Sequence, residues 1–235
     1  MLVLAALWEA GARLAGSRLF PTLTSVLQTM VDQAIAGPLL HNLLVTMIRV
    51  ACAFTIAMLG GMLLGVAMGR VPWLDRLLDS ALVVLLNLPA LVGIVLIFVW
   101  FGLSETTTVL AVALNKLPST AVTMREGARS LDRQLLEMGN SFRVSRLRLW
   151  RDVALPQLYP YLFASARSGL ALIWKVVLVA ELLGCTDGVG FQIEVYFQLF
   201  DVRGILAYTL AFVLVVQLIE WAALQPLERR AARWR

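Results

Sequence analysis

The segment VACAFTIAMLGGMLLGVAMG, residues 50–69, decides the class of fold. It runs for 20 residues without a charge, which is the length that an α-helix needs to cross the hydrocarbon core of a bilayer. A polar turn follows at residues 70–76. Within the segment Gly61, Gly65 and Gly69 recur every four residues, and this spacing predicts a smooth face that lets another helix approach closely.

The composition of the whole chain agrees with this segment. Hydrophobic residues make up 60% of the 235 positions, charged residues 15%, and the mean hydropathy is +0.82. Soluble domains are near half apolar and a quarter charged. At roughly 20 to 25 residues for each crossing plus connections, the chain holds about six transmembrane helices and no nucleotide-binding domain. We therefore predict an all-α, polytopic membrane protein.

The other apolar runs divide the chain. Asn87 and Pro89 interrupt the uncharged run 80–103 and predict a break that lines a cavity rather than lipid. The run 106–124 contains Lys116 and is expected to be a kinked, partly polar span. Later spans are predicted at 161–183 and 204–224. The predicted units are a first span with an outer amphipathic segment (1–41), a transmembrane domain (42–225) and a basic tail (226–235).

The positive charge predicts orientation rather than nucleic-acid binding. The formal net charge is +5, and 18 of the 20 basic residues are arginines that cluster between the apolar runs. Because cytoplasmic loops of membrane proteins carry the excess of Lys and Arg, we expect the turn at 70–76, the loop at 125–152 and both termini to be cytoplasmic. The segments at 17–40, 99–106 and 185–203 then face outward.

The basic loop is predicted to form two short amphipathic helices. Ser130 is expected to cap a helix that begins at Leu131, with Asp132 in its first turn, where the helix dipole favours an acid. At helical spacing the first helix has one apolar stripe: Leu131, Leu135, Met138 and Phe142.

The second helix of the loop should start after Ser145 and run to about Ala154. Pro156 disfavours helical geometry at Leu155, so we expect a break there before the next span. On physical grounds alone, both helices could rest on anionic lipid and do nothing more.

The loop resembles a known motif. Glu137, Met138 and Gly139, then position 143, then Val153 and the pair Leu155-Pro156 are similar to the EAA loop of ATP-binding-cassette (ABC) importer permeases, in which Glu-Ala-Ala is followed by Gly and by Ile-x-Leu-Pro. The spacing matches without a gap. Residues 131–137 and the sequence VAELLG at 179–184 resemble the nitrate, sulfonate and taurine branch, and the likeness runs from about Pro21 to the tail.

The resemblance implies a transport subunit of the bacterial inner membrane rather than an enzyme. It implies a separate dimeric ATPase that binds ATP and Mg, a second copy of the permease, an external solute-binding protein and contact with membrane lipid, but no nucleic acid. The residues implied in ATPase coupling, from a loop at about 126–156, are Leu135, Glu137, Met138, Gly139, Phe142, Arg143, Val153, Leu155 and Pro156. The chain has two lysines, neither in a Gly-rich phosphate-binding loop, so it cannot be the ATPase.

Arg143 departs from the resembled motif, where Gly is usual. A Gly between two helices typically supplies a left-handed backbone conformation, which costs other residues about 1 kcal/mol or more. We expect either strain at Arg143 or a turn of another kind.

The residues expected along the substrate path are Asn87, Lys175 and Glu181, because polar and charged groups inside a membrane are costly and often functional. An anionic solute would suit Lys175 and the resembled branch. An ion-coupled secondary transporter or channel is the alternative, although it leaves the basic loop unexplained. Neither a catalytic constellation nor a metal-binding cluster is recognisable, and His41 is isolated.

Overall fold

The computed structural model describes residues 2–17 and 19–224 of the chain. Nearly all of these residues are helical and none of them lies in a strand, which confirms the all-α fold. The basic tail predicted at 226–235 lies outside the described residues. The helices are α1 (Leu2–Ala15), α2 (Leu23–Ile35), α3 (Leu39–Arg70), α4 (Pro72–Asn87), α5 (Ala90–Phe101), α6 (Glu105–Arg129), α7 (Arg133–Ser141), α8 (Arg146–Leu149), α9 (Leu155–Gly184), α10 (Val189–Gln198) and α11 (Val202–Ile219), with π-helical turns at Trp150–Ala154 and Glu220–Leu224.

Several of these helices are long and apolar enough to cross a membrane. They are Leu39–Arg70, Arg146–Gly184 and Val202–Ala222, and the bent pair α4 and α5 passes the same test if it counts as one span. Helix α6 has 25 residues, about 38 Å at 1.5 Å per residue, which also exceeds the thickness of the hydrocarbon core.

Helix α1 is shorter than the first span that we expected within residues 1–41. Its 14 residues cover about 21 Å, against the roughly 30 Å of a bilayer core. The indole of Trp8 donates a hydrogen bond to the carbonyl of Pro21 (3.0 Å), and Glu9 accepts one from the amide of Thr24 (3.2 Å). Helix α1 is thereby tied to the start of α2.

The glycines of α3 pack against α6, as their spacing predicts. The two helices run parallel, and a Cβ at Gly65 would collide with the backbone oxygen of Ala121, while one at Gly69 would lie 2.6 Å from Ala128 Cβ. We call the end of this bundle with Arg129 the loop end, since α7 and α8 follow it, and the other end the opposite end.

Helix α6 lies between α3 and α9, which explains why it is long yet less apolar than its neighbours. Its buried residues include hydroxyl side chains such as Thr120, whose Oγ1 accepts a hydrogen bond from Ser165 Oγ of α9 at 3.2 Å. Such groups bond across packed helices, whereas facing lipid would leave them unsatisfied. Helix α6 continues through Pro118 as one helix.

The break predicted from Asn87 and Pro89 is confirmed. Helix α4 ends at Asn87, α5 begins at Ala90, and the two are bent by 105°. Leu88 has extended geometry, as the residue before a proline prefers, and Asn87 Nδ2 donates a hydrogen bond to the carbonyl of Val83 at 2.8 Å. The proline therefore turns the chain sharply instead of only kinking a straight span.

Candidate coupling site and buried charges

The first loop helix begins two residues later than we predicted. Helix α6 continues to Arg129, and Ser130 Oγ donates its hydrogen bond backwards to the carbonyl of Gly127 at 2.9 Å. Asp132 Oδ1 accepts from the amides of Gln134 (2.8 Å) and Leu135 (3.3 Å). The prediction that Ser130 caps the helix is therefore wrong, because Asp132 takes that role and α7 starts at Arg133.

The predicted apolar stripe divides into one anchor and one exposed surface. Leu131 is buried in a small core with Met124 and Leu158, so it fixes the loop to the bundle. Leu135, Met138 and Phe142 are exposed by 41%, 53% and 78%. They line a groove of about 580 Å³ between α7 and the helix that begins at Arg146. We call it the α7–α8 groove; of the predicted coupling residues, it is lined by Leu135, Met138, Gly139, Phe142, Val153 and Pro156.

Gly139 brings the two loop helices close together. A Cβ at this position would collide with Cδ1 of Leu149, which is buried beneath α7. Glu137 is exposed, and among the described residues its carboxylate has no ion-pair partner. Gly139 of the motif therefore faces the second loop helix, whereas Glu137 faces solvent.

Arg143 takes the left-handed conformation expected of the glycine in the resembled motif. Its φ is 54°, a region that residues with a Cβ rarely occupy. The following residue is held by a hydrogen bond from the Val144 amide to the carbonyl of Gly139 at 3.0 Å, in the manner of a helix C-terminal cap. The turn is therefore unchanged in kind, and Arg143 tolerates the strain.

Substitutions at Arg143 should report this strain. Arg143→Val should weaken the turn by about 1 kcal/mol or more, because a β-branched residue fits the left-handed region poorly. Arg143→Gly should not weaken it, since relief of strain offsets the freedom that glycine adds to the unfolded chain, about 0.4–1 kcal/mol. Limited proteolysis of residues 133–149 measures the effect. Equal cleavage rates for both variants would show that the turn carries no strain.

The break predicted at Pro156 is wrong. The chain stays helical from Arg146 to Gly184, and Leu155 is helical with φ −61° and ψ −43°. The π-helical turn Trp150–Ala154 accommodates the proline: the Leu155 amide bonds five residues back to the carbonyl of Trp150. A wider turn thus replaces the expected interruption.

The three residues predicted for the substrate path lie in different environments. Asn87 is exposed at the bend after α4, and Lys175 is exposed on α9. Glu181 is completely buried and bonded to protein groups. The structure does not bring the three side chains together, and a role of Asn87 or Lys175 in transport remains a prediction.

A buried charge cluster that the sequence did not reveal surrounds Glu181. Arg49 of α3, with a side chain only 3% exposed, bonds Glu181 through Nη1 (2.8 Å). It also bonds Glu105 of α6 through Nε (2.8 Å) and Asp187 through Nη2 (2.5 Å). One cation therefore joins α3, α6 and α9 at the opposite end of the bundle.

The turn between α9 and α10 is fixed to this cluster. Glu181 Oε2 accepts hydrogen bonds from Thr46 Oγ1 (3.0 Å) and from the Gly190 amide (2.8 Å). Gly188 has φ 103°, and a Cβ there would lie 2.5 Å from the Glu181 carboxylate and 2.6 Å from Arg49 Nη1. This position therefore requires a glycine.

A second ion cluster lies at the loop end. Arg125 bonds Asp75 (3.2 Å) and Asp79 (2.5 Å) of α4, and Arg129 bonds Asp75 (2.5 Å). These pairs attach α4 to the last turns of α6, directly before the loop. Within the part of the chain that the structure describes, no group of three His, Cys, Asp or Glu side chains could hold a metal ion.

The described residues form a bundle of membrane-length helices with an apolar groove at one end, between α7 and the helix that begins at Arg146. Residues 57–224 match the family described as "Binding-protein-dependent transport system inner membrane component". The match covers more than half of the chain, so the chain belongs to this family.

The similar proteins agree with this family. The chain is 28% identical to the aliphatic sulfonates transport permease SsuC of Escherichia coli (strain K12), over 97% of this chain and 88% of the relative. It is 28% identical to the taurine permease TauC of the same strain, over 85% of this chain and 75% of the relative. It is 29% identical to the riboflavin permease RibX of Chloroflexus aurantiacus, over 100% of this chain and 88% of the relative.

The fold is that of a solved permease. An inward-facing structure of the MetNI methionine ABC transporter superposes with a TM-score of 0.71 at 15% identity, over 85% of this chain and 98% of the other. The chain is therefore an ABC transporter permease of the inner membrane, and it is a transport subunit rather than an enzyme. In transporters of this family the permease works with an ATPase and a binding protein. Membership of this family does not favour the alternative of an ion-coupled secondary transporter or channel.

Proposed function

We propose that this permease forms the membrane path of an importer for small organic anions of the sulfonate class, driven by an ATPase that docks in the α7–α8 groove. The groove is the observation that carries the proposal. It is formed by the motif of the loop, and it presents apolar side chains that a partner would remove from water. The sulfonate and taurine permeases among the similar proteins support the class of solute.

The groove has the chemistry of a docking site for a partner helix or loop. Met138 and Phe142 are more than half exposed, and Met adapts its shape to the surface it meets. Burial of apolar area contributes about 25 cal/mol per Å². Glu137 stands beside them with its carboxylate in solvent, so a basic group of the ATPase is its expected partner. Val153 and Pro156 line the α9 side of the groove.

The orientation of the permease in the membrane and its assembly with other chains follow from the same docking site. The loop end, with its excess of arginine, faces the cytoplasm together with the C-terminus that follows α11, and the solute-binding protein meets the opposite end. Two copies of the permease pair, anionic lipid contacts the basic loop, and ATP and Mg are bound by the ATPase alone. Closure of the ATPase dimer on ATP then moves the loop and switches the path from inward-facing to outward-facing.

Met138→Asp with Phe142→Asp should abolish docking. Two carboxylates in the groove would have to lose their hydration against an apolar partner, which is strongly unfavourable. The expected result is loss of the ATPase from the purified complex and loss of ATP-driven uptake of a short alkanesulfonate.

The control is Ser141→Asp, which adds one carboxylate to α7 at a residue that does not line the groove. This variant should keep the ATPase. If the variant with Met138→Asp and Phe142→Asp kept both the ATPase and uptake, the docking proposal would be refuted. If the wild-type transporter took up only uncharged solutes, the proposed class of solute would be wrong.

A further inference from the structure

Lys116 is a buried cation in the middle of α6. Its residue exposure is 3%. It lies 11 residues after Glu105 and 13 before Arg129, the two ends of the helix, which places it about 17 Å and 20 Å from them at 1.5 Å per residue. Lys116 therefore lies near the middle of α6, and a charge near the centre of a membrane-crossing helix is the most costly.

Within the described part of the chain, the ammonium of Lys116 has no countercharge. Nζ donates one hydrogen bond, to Ser119 Oγ at 2.8 Å, and no carboxylate among the described side chains forms an ion pair with it. An ammonium has three donors, so two remain unused. Arg49, the other buried cation among the described residues, contacts three carboxylates. A buried charge without a partner is unfavourable unless a ligand supplies one.

A glycine on α9 makes room for this side chain. A Cβ at Gly169 would lie 2.6 Å from Lys116 Cε and 3.4 Å from Nζ, so any other residue would push the ammonium away. Gly169 is buried, whereas Ser168, the residue before it, is exposed. The buried ammonium thus packs against α9 one residue away from a position that the described chain leaves exposed.

This face of α9 carries polar side chains among its exposed apolar ones. Ser168 and Lys175 are seven residues apart and therefore lie on one side of the helix. Both are exposed, and a lysine inside a membrane normally faces a water-filled cavity or a partner subunit. A solute that passes along this face would come within reach of Gly169 and of the lysine behind it.

We propose that Lys116, reached past Gly169 from the Ser168–Lys175 face of α9, binds the anionic oxygen group of the transported solute. The inference rests on the proposed function, and it adds a residue and a place for the anion. The sulfonate oxygens accept hydrogen bonds from the two remaining N–H groups of Lys116, and the solute supplies the missing negative charge. The anion is bound only while it is beside Gly169, so it can be released on either side.

Uptake by the assembled transporter in proteoliposomes tests this site. Lys116→Met should lower uptake of a short alkanesulfonate by at least about tenfold, because one partner of a buried charge pair is lost, while the ATPase stays bound. Lys116→Arg keeps the charge and should retain most of the uptake. Unchanged uptake by Lys116→Met would overturn the inference but leave the proposed function intact. A wild-type transporter without ATP-driven uptake would instead refute the function.

The lysine signals give a second measurement that does not depend on a folded Lys116→Met variant. The chain has only two lysines, so a permease with ¹³Cε-labelled lysine, assembled with unlabelled partners, gives two signals, and Lys175→Arg removes one of them. A short alkanesulfonate should shift the Lys116 signal, and chloride at equal ionic strength should not. A shift confined to Lys175, or the same shift with chloride, would overturn the assignment.

Discussion

Arg49→Met is expected to destabilise the protein by about 3–5 kcal/mol, the cost of removing one partner from a buried ion pair. The substitution leaves Glu181, which is completely buried, without the cation that Nη1 brings to 2.8 Å. This loss is a large share of the roughly 5–15 kcal/mol that keeps a protein folded. The midpoint of thermal unfolding of the purified chain in detergent, followed by loss of the monodisperse species, measures it.

Two further variants test whether Arg49→Met loses stability because the Glu181 carboxylate is left unpaired or because an arginine is removed. Arg49→Met combined with Glu181→Gln should recover part of the stability, because a neutral amide can still accept from Thr46 and Gly190. Arg203→Met removes an arginine that is 60% exposed and 4.0 Å from Asp201, and it should have little effect. If the double variant were no more stable than Arg49→Met alone, the uncompensated carboxylate would not be the cause.

Gly65→Ala is expected to cost about 3 kcal/mol or more, the upper range for overpacking a core. The new Cβ would meet the backbone oxygen of Ala121 and lie 2.8 Å from Met124 Cβ. Neither atom can turn aside, so α3 and α6 must separate along their contact. The yield of folded protein and the midpoint of thermal unfolding are the measurements.

Gly60→Ala is the matched control on the same helix. Its Cβ would meet only the side chain of Leu117, at 3.1 Å, and a leucine can change rotamer. This variant should unfold within about 1 kcal/mol of wild type, since volume changes that a side chain can absorb are tolerated best. Equal losses for Gly60→Ala and Gly65→Ala would mean that the close approach of α3 and α6 is not what Gly65 provides.

Much of the fold could be predicted because its signals are local. An uncharged run of 20 residues, glycines every four positions and a proline inside an apolar stretch each identify a helix, a packing face or a break. Predictions failed where tertiary contacts override a local rule. The residue before Pro156 remains helical because a π-helical turn supplies the wider geometry.

The residues of the candidate coupling site could be predicted from one contiguous segment, whereas those of the buried cluster could not. Arg49 precedes the uncharged run that begins at Val50, so it looks like the polar end of a span. Its partners Glu105 and Glu181 lie 56 and 132 residues away along the chain. The single available signal was that Glu181 is an acid in an apolar run and needs a cation. Lys116 was interpreted only as an interruption of its span, because its burial depends on Gly169.

The unbroken helix from Arg146 to Gly184 joins the α7–α8 groove to Glu181. Its 39 residues extend about 58 Å at 1.5 Å per residue, so a tilt of about 5° at one end displaces the other by roughly 5 Å. A hinge at Pro156 would have absorbed such a tilt next to the membrane. Because the π-helical turn keeps the helix continuous, a small rotation imposed on the loop would displace the buried charge cluster at the other end of the helix.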